Sequence, residues 1–148
     1  MNRRRALMSA DEVLSPNGLV DGNYTTSGST LNVSDRQTIK GVGSVASYKI
    51  FNIPFIRPLE IHAGDTVQFI SNTPEGQSTA TQAWQIGFNG TSWGNLSPFE
   101  STLSNRTKTF NNVGSDTMAR TLYLFSHSNI TNRQFTLTIK INGEDVFA

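Results

Sequence analysis

Between Phe135 and Ile141 the chain reads Phe-Thr-Leu-Thr-Ile-Lys-Ile, with Phe135, Leu137, Ile139 and Ile141 on one side of an extended backbone and Thr136, Thr138 and Lys140 on the other. Strict alternation suits a strand with one buried face; a helix would scatter the same four apolar residues around its circumference. Asn142-Gly143 follows directly and tolerates the positive φ angles of a tight hairpin, so Glu144 to Phe147 can return as a short edge. From Asn17 onward the same pattern recurs, as short β-rich runs separated by clusters of Gly, Asn, Ser and Asp. Ser, Thr and Asn make up about a third of the chain and charged residues only 16%, a bias toward strands and turns over helices.

Thr117 to Phe125 is long and apolar on both sides toward its end, as expected of a central strand. It is expected to pair with Phe135–Ile141 through the connection at 126–133. Leu59 to Ile70 divides into two short strands around Ala63-Gly64-Asp65, where the glycine supplies a tight connection. Ser47 to Ile53 and Ala83 to Phe88 read as two more strands, the second followed by a loop at Asn89-Gly90, and Thr30–Val33 and Arg106–Phe110 are weaker candidates. At 148 residues one domain is expected. The fold expected is all-β: an antiparallel two-sheet, jelly-roll-like β-sandwich of about eight or nine strands over residues 17–148.

Residues 1–16 read differently, either as a solvated, frayed terminus or, the expectation carried forward, as an extended or partly helical N-terminal docking arm. Arg3, Arg4 and Arg5 can make forked bonds to carboxylates, and Leu7, Met8, Val13 and Leu14 offer small apolar anchors. Only three apolar residues follow the arginines before Ser9, so neither a secretory signal nor a transit peptide is expected. The net charge of +1 falls to −2 once the three arginines are set aside, and Lys40, Lys49, Lys108 and Lys140 are dispersed, so nucleic acid is not an expected partner. No apolar stretch is long enough to suggest a membrane span.

The chain has no Cys and two His, His62 and His127, which removes thiolate chemistry and leaves few imidazoles for a catalytic zinc. Glu60, Asp65, Glu75, Glu100 and Asp116 are scattered and show no facing pair, and no strained glycine-flanked nucleophile or phosphate-binding glycine loop is present. No enzyme activity, cofactor or metal is therefore expected. The aromatic residues say more. Trp93 falls in the polar, glycine-containing stretch Asn89 to Asn95, expected to be a loop. It fits a stacking platform for a sugar, with Asn89, Asn95 and Tyr24 as polar partners. It also fits, as the more ordinary role for such a ring, one folded back to close the end of the sandwich or packed into a subunit interface. Trp84, in phase with Ile86 and Phe88, is expected in the core.

The opening Arg3-Arg-Arg-Ala-Leu-Met8 ahead of a β-rich domain resembles the starts of small virion proteins of tailed bacteriophages. The segment from Ile53 to Phe69, with Ala63-Gly-Asp-Thr66 between apolar strands, resembles carbohydrate-binding-module-like jelly rolls on phage head and tail appendages. What this resemblance implies is a non-enzymatic virion structural protein: a capsid- or tail-attached decoration or appendage subunit, often a homo-oligomer, docked by its arm onto other virion proteins. It would be made in the host cytoplasm and carried on the virion surface. The alternative is a carbohydrate-binding module that attaches to cell-surface glycans, and the two can coexist.

Overall fold

The computed structural model describes residues 17–72, 84–96, 106–126 and 130–147. The arm residues Arg3, Arg4, Arg5, Leu7, Met8, Val13 and Leu14, together with His127, Glu75 and Glu100, lie outside the described residues. Among the described residues there is no helix, and the strands form two antiparallel sheets and a small ribbon.

The larger sheet begins with β1 (Gly22–Thr26), β2 (Ser29–Ser34) and β3 (Thr38–Gly41), then passes through β12 (Gln134–Ile141) to β6 (Val67–Asn72) and β9 (Arg106–Phe110). A short β13 (Glu144–Asp145) folds back on the end of β12, as expected from Asn142-Gly143. The smaller sheet has the order β5 (Lys49–Ile61), β10 (Thr117–Ser126), β7 (Trp84–Phe88), β8 (Thr91–Leu96). A two-residue ribbon joins β4 (Ser44–Val45) to β11 (Ile130–Thr131).

Period-two patterning places the core between the sheets. Leu31 and Val33 of β2, Phe69 of β6 and Phe135, Leu137, Ile139 and Ile141 of β12 are buried from one side; Phe51 and Ile53 of β5, Leu122 and Leu124 of β10, and Trp84, Ile86 and Phe88 of β7 are buried from the other. Trp84 meets Phe135 edge-on across the gap, centroids 6.0 Å apart and planes at 69°. Three two-residue hairpins carry positive φ at both turn residues: Ser27-Gly28, Asn89-Gly90 and Asn142-Gly143.

Three expectations need correction. The strands β10 and β12 do not pair with one another; β10 lies between β5 and β7, and β12 between β3 and β6. Each carries an apolar row on its inner side, and the two strands serve opposite sheets. Ser47–Ile53 and Leu59–Ile61 are not separate strands but belong to one strand, β5, despite Pro54 and Pro58. The interruption survives as a register shift: Ala119 faces Leu59 and Thr121 faces Pro54, so Phe55 to Pro58 stand opposite Arg120 alone. Prolines fit there because β5 is the edge strand of its sheet. Finally, the two principal sheets hold seven and four strands, more than expected, because β1 and the short β3 were not anticipated and β8 was expected to be a loop; β4 and β11 of the ribbon are further strands outside that expectation.

The outer edge of β5 is covered from Pro54 to Ile56. Leu19 bridges Phe55, the Ile56 N–H donates to the Gly18 carbonyl (2.8 Å) and the Val20 N–H donates to the Pro54 carbonyl (2.8 Å). A covered edge removes a template for strand addition.

Candidate functional site

The side of the sandwich where β8 approaches β9 holds the aromatic cluster. Trp93 lies in strand β8 and not in a loop, because Asn89-Gly90 closes the hairpin within two residues. In the ladder, Ile86 faces Gly94 and Gly87 faces Ser92, so Trp93 is the extra residue of a β-bulge. A bulge turns its side chain away from the regular pleat. The glycines make the arrangement possible: a Cβ on Gly87 would run into the Thr91 carbonyl and lie 2.7 Å from the Trp93 nitrogen, and one on Gly94 would lie 3.1 Å from Cζ of Phe110.

Aimed in this way, Trp93 completes a closed ring of four aromatics. Phe69 meets Phe88 (5.2 Å, 42°), Phe88 meets Trp93 (5.0 Å, 87°), Trp93 meets Phe110 (5.5 Å, 86°) and Phe110 returns to Phe69 (6.0 Å, 83°). Three of these contacts are near-perpendicular, the geometry favoured by the aromatic quadrupole. Phe69 and Phe88 are buried, whereas Trp93 and Phe110 keep part of their surface exposed. The Lys108 ammonium lies 5.7 Å from the centroid of the Phe110 ring.

Trp93 and Phe110 form one wall of an open groove of about 640 Å³. The remainder is contributed by Thr109, by the loop of Asn111, Asn112, Val113, Gly114 and Ser115, and by Thr117. That loop is pinned at its base. The Gly64 N–H donates to the Val113 carbonyl (2.7 Å), the Val113 N–H to the Asp65 carbonyl (3.0 Å) and the Ala63 N–H to Oδ1 of Asp116 (2.8 Å). Asp65 is itself buried, accepting from the His62 N–H (2.8 Å) and from Nδ2 of Asn142 (2.9 Å). The Ala63-Gly64-Asp65 corner, read from sequence as a strand connection, thus also supports the groove loop.

The sugar-binding residues read from sequence are not brought together. Trp93 lines the groove. Asn89 does not: its backbone sits at φ 54°, Nδ2 donates to the Met118 carbonyl (2.9 Å) and Oδ1 accepts from the Arg120 N–H (2.8 Å). Its side-chain amide extends the β7 ladder along β10 beyond Phe88, at the level where the β5 register breaks. Asn95 is exposed on β8 opposite Gln85 and is not a groove residue. Tyr24 belongs to β1, at the far end of the larger sheet from β9; its hydroxyl donates to the Val20 carbonyl (2.6 Å), and burial, then the Asp21 carboxylate, raise its pKa above 10.0. The polar groups that do line the groove, Thr109, Asn111, Asn112, Ser115 and Thr117, are not legible as partners of Trp93 in sequence because they lie 14 or more residues beyond Asn95.

A smaller cavity of about 260 Å³ adjoins the groove at Thr117 and contains Glu60, His62 and Asp116. His62 lies 3.9 Å from a carboxylate oxygen of each acid, beyond hydrogen-bond distance. Sequence reasoning treated these residues as scattered; the pairing of Glu60 with Met118 is what brings them together. Among the described residues no group of three or more His, Cys, Asp or Glu side chains could hold a metal ion.

Together these features define an antiparallel β-sandwich with an aromatic-walled, polar-rimmed groove at one side. No family model, curated protein or solved structure matches the chain.

Proposed function

We propose that this chain is a non-enzymatic binding module that holds a neutral glycan in the groove beside Trp93. The observation that supports it is the closed aromatic ring, which turns two partly exposed ring surfaces toward a groove rimmed by side-chain amides and hydroxyls. A sugar ring presents C–H groups to an aromatic surface and hydroxyls to Asn, Ser and Thr, so one neutral ligand satisfies both kinds of lining. The test is a glycan array with the full chain, followed by titration of Trp93→Ala. Binding to neutral glycans that falls at least tenfold in the variant supports the assignment; a silent array, or undiminished binding after the substitution, overturns it.

A second reading concerns setting: a jelly-roll decoration or appendage subunit of a phage particle, oligomeric and docked through residues 1–16, as the resemblance implies. It is favoured by the outward side of β5 and β10, where Tyr48, Ile50, Ile56 and Met118 are exposed, an apolar surface of the kind that a docking segment covers. Deleting residues 1–14 is expected to abolish incorporation into particles while leaving the sandwich folded. Unchanged incorporation would remove the arm from the assignment.

A further inference from the structure

The outward row of the smaller sheet exposes large apolar side chains at its two ends. At one end Tyr48 is 70% exposed beside Ile50 at 47%, with the Tyr48 ring 6.1 Å from that of Phe125. At the other, Ile56 is 39% and Met118 41% exposed. Between them lie Asn52, Pro54, Thr121 and Tyr123, of which only the tyrosine is a large ring, and it is buried. Tyr48 is held at φ 63°, a left-handed conformation uncommon for a bulky residue, while its N–H donates to the Ser126 carbonyl (2.6 Å). The backbone thus accepts strain at the residue that exposes the largest apolar ring of the row.

The path of the chain identifies what belongs there. Gly18 to Val20 run antiparallel along the outer edge of β5, with Leu19 opposite Phe55. The preceding segment therefore starts next to Ile56 heading away from Ile50, and Ser15 and Pro16, which alone separate Asn17 from Leu14 and favour a turn, are where it would reverse onto the face. That segment has the same two-ended pattern: Val13-Leu14, then polar or small residues from Ser9 to Glu12, then Leu7-Met8. Extended, the six-residue step from Val13 to Leu7 spans roughly 20 Å, as does the six-residue step from Ile56 to Ile50 along β5.

We propose that residues 7–14 bind the outward face of the smaller sheet of their own chain, with Val13 and Leu14 against Ile56 and Met118, and Leu7 and Met8 against Tyr48 and Ile50. This refines the arm's role in the phage-particle reading: the apolar half stays on its own sandwich, and Arg3, Arg4 and Arg5 are presented at the Tyr48 end to acidic surfaces of other virion proteins.

The absence of cysteine makes the test direct. In the full chain, Leu7→Cys is combined with Ile50→Cys and, as a control, with Thr107→Cys on β9, the far edge strand of the other sheet. On mild oxidation the Ile50 pair is expected to give an intrachain crosslink, seen as a fast-migrating monomer on a non-reducing gel, with at least fivefold more product than the Thr107 pair. Equal yields from the two pairs, or a product that is entirely interchain dimer, overturn the proposal. A second measurement does not depend on the cysteine variants folding. Leu7→Asp and Leu14→Asp in the otherwise natural chain are expected to raise binding of an apolar dye severalfold with near-ultraviolet dichroism retained, and unchanged dye binding counts against it.

Discussion

Asn89 allows the sharpest test of the site. Replacing it with Gly keeps a residue at ease at φ 54° but removes the bonds to the Met118 carbonyl and the Arg120 N–H. Each bond is partly solvated and contributes about 0.5–1 kcal/mol, so Asn89→Gly is expected to cost about 1–2 kcal/mol. Asn89→Ala loses the same bonds and also places a Cβ in the left-handed region, adding roughly 1 kcal/mol. Asn89→Asp retains the acceptor for Arg120 but sets a carboxylate against the Met118 carbonyl, so it should fall near or below the glycine variant. For a domain of this size each kcal/mol lowers Tm by about 2–4 °C, which puts Gly roughly 2–8 °C and Ala roughly 4–12 °C below the natural protein. Thermal unfolding followed by circular dichroism, with urea titration to confirm an unchanged m-value, reads the series. A glycine variant as stable as the natural chain, or an alanine variant no worse than glycine, would refute the assignment of Asn89 as an extension of the β7 ladder. If Asn89 is structural, glycan affinity at a temperature where all variants are folded should also be unaffected.

Gly87→Ala forces a methyl group into the bulge backbone and is expected to cost more than about 2 kcal/mol, whereas Gly114→Ala meets nothing within 4 Å and should be neutral in the same denaturation assay. Asp65→Ala removes the acceptor shared by the His62 N–H and the Asn142 amide; a loss of about 2–4 kcal/mol is expected, with increased amide hydrogen exchange at Val113 as the groove loop loosens. Tyr24 has a folded-state pKa raised by burial and by Asp21, so the unfolded chain releases this proton first and stability should fall as pH rises from about 10 through the folded value. Tyr24→Phe should flatten that alkaline decline in urea titrations across pH 9 to 11, and an unchanged slope would refute it.

The alternating strand β12, the central position of β10, the buried Trp84 and the Asn142-Gly143 hairpin were legible because period-two patterning and paired left-handed residues are local properties. Partner choice was not. Adjacent runs were expected to pair, yet the inner rows of β10 and β12 face each other across the core, and nothing within either run encodes that. The position of Trp93 was hidden for a related reason: a polar stretch around a lone ring looks like a loop until Gly87 is seen to admit a bulge opposite it. The groove residues from Asn111 to Ser115 are ordinary turn residues in sequence. They become a surface only because β9 is brought beside β8 and the 63–65 corner fastens the loop.

The position of β12 has a consequence for synthesis. Strands β1, β2 and β3 form one half-sheet and β6 with β9 another, and β12 is the strand between them. A nascent chain that has emerged only as far as Asn132 holds both halves with their facing edges open and the apolar rows of Ile39 and Phe69 without a common neighbour. Such edges recruit strands from other chains, so a holding chaperone would have most effect in the interval before Gln134–Ile141 leaves the ribosome. Loss of β1 would trim a margin, but premature termination before β12 would leave two fragments of a sheet with nothing to join them.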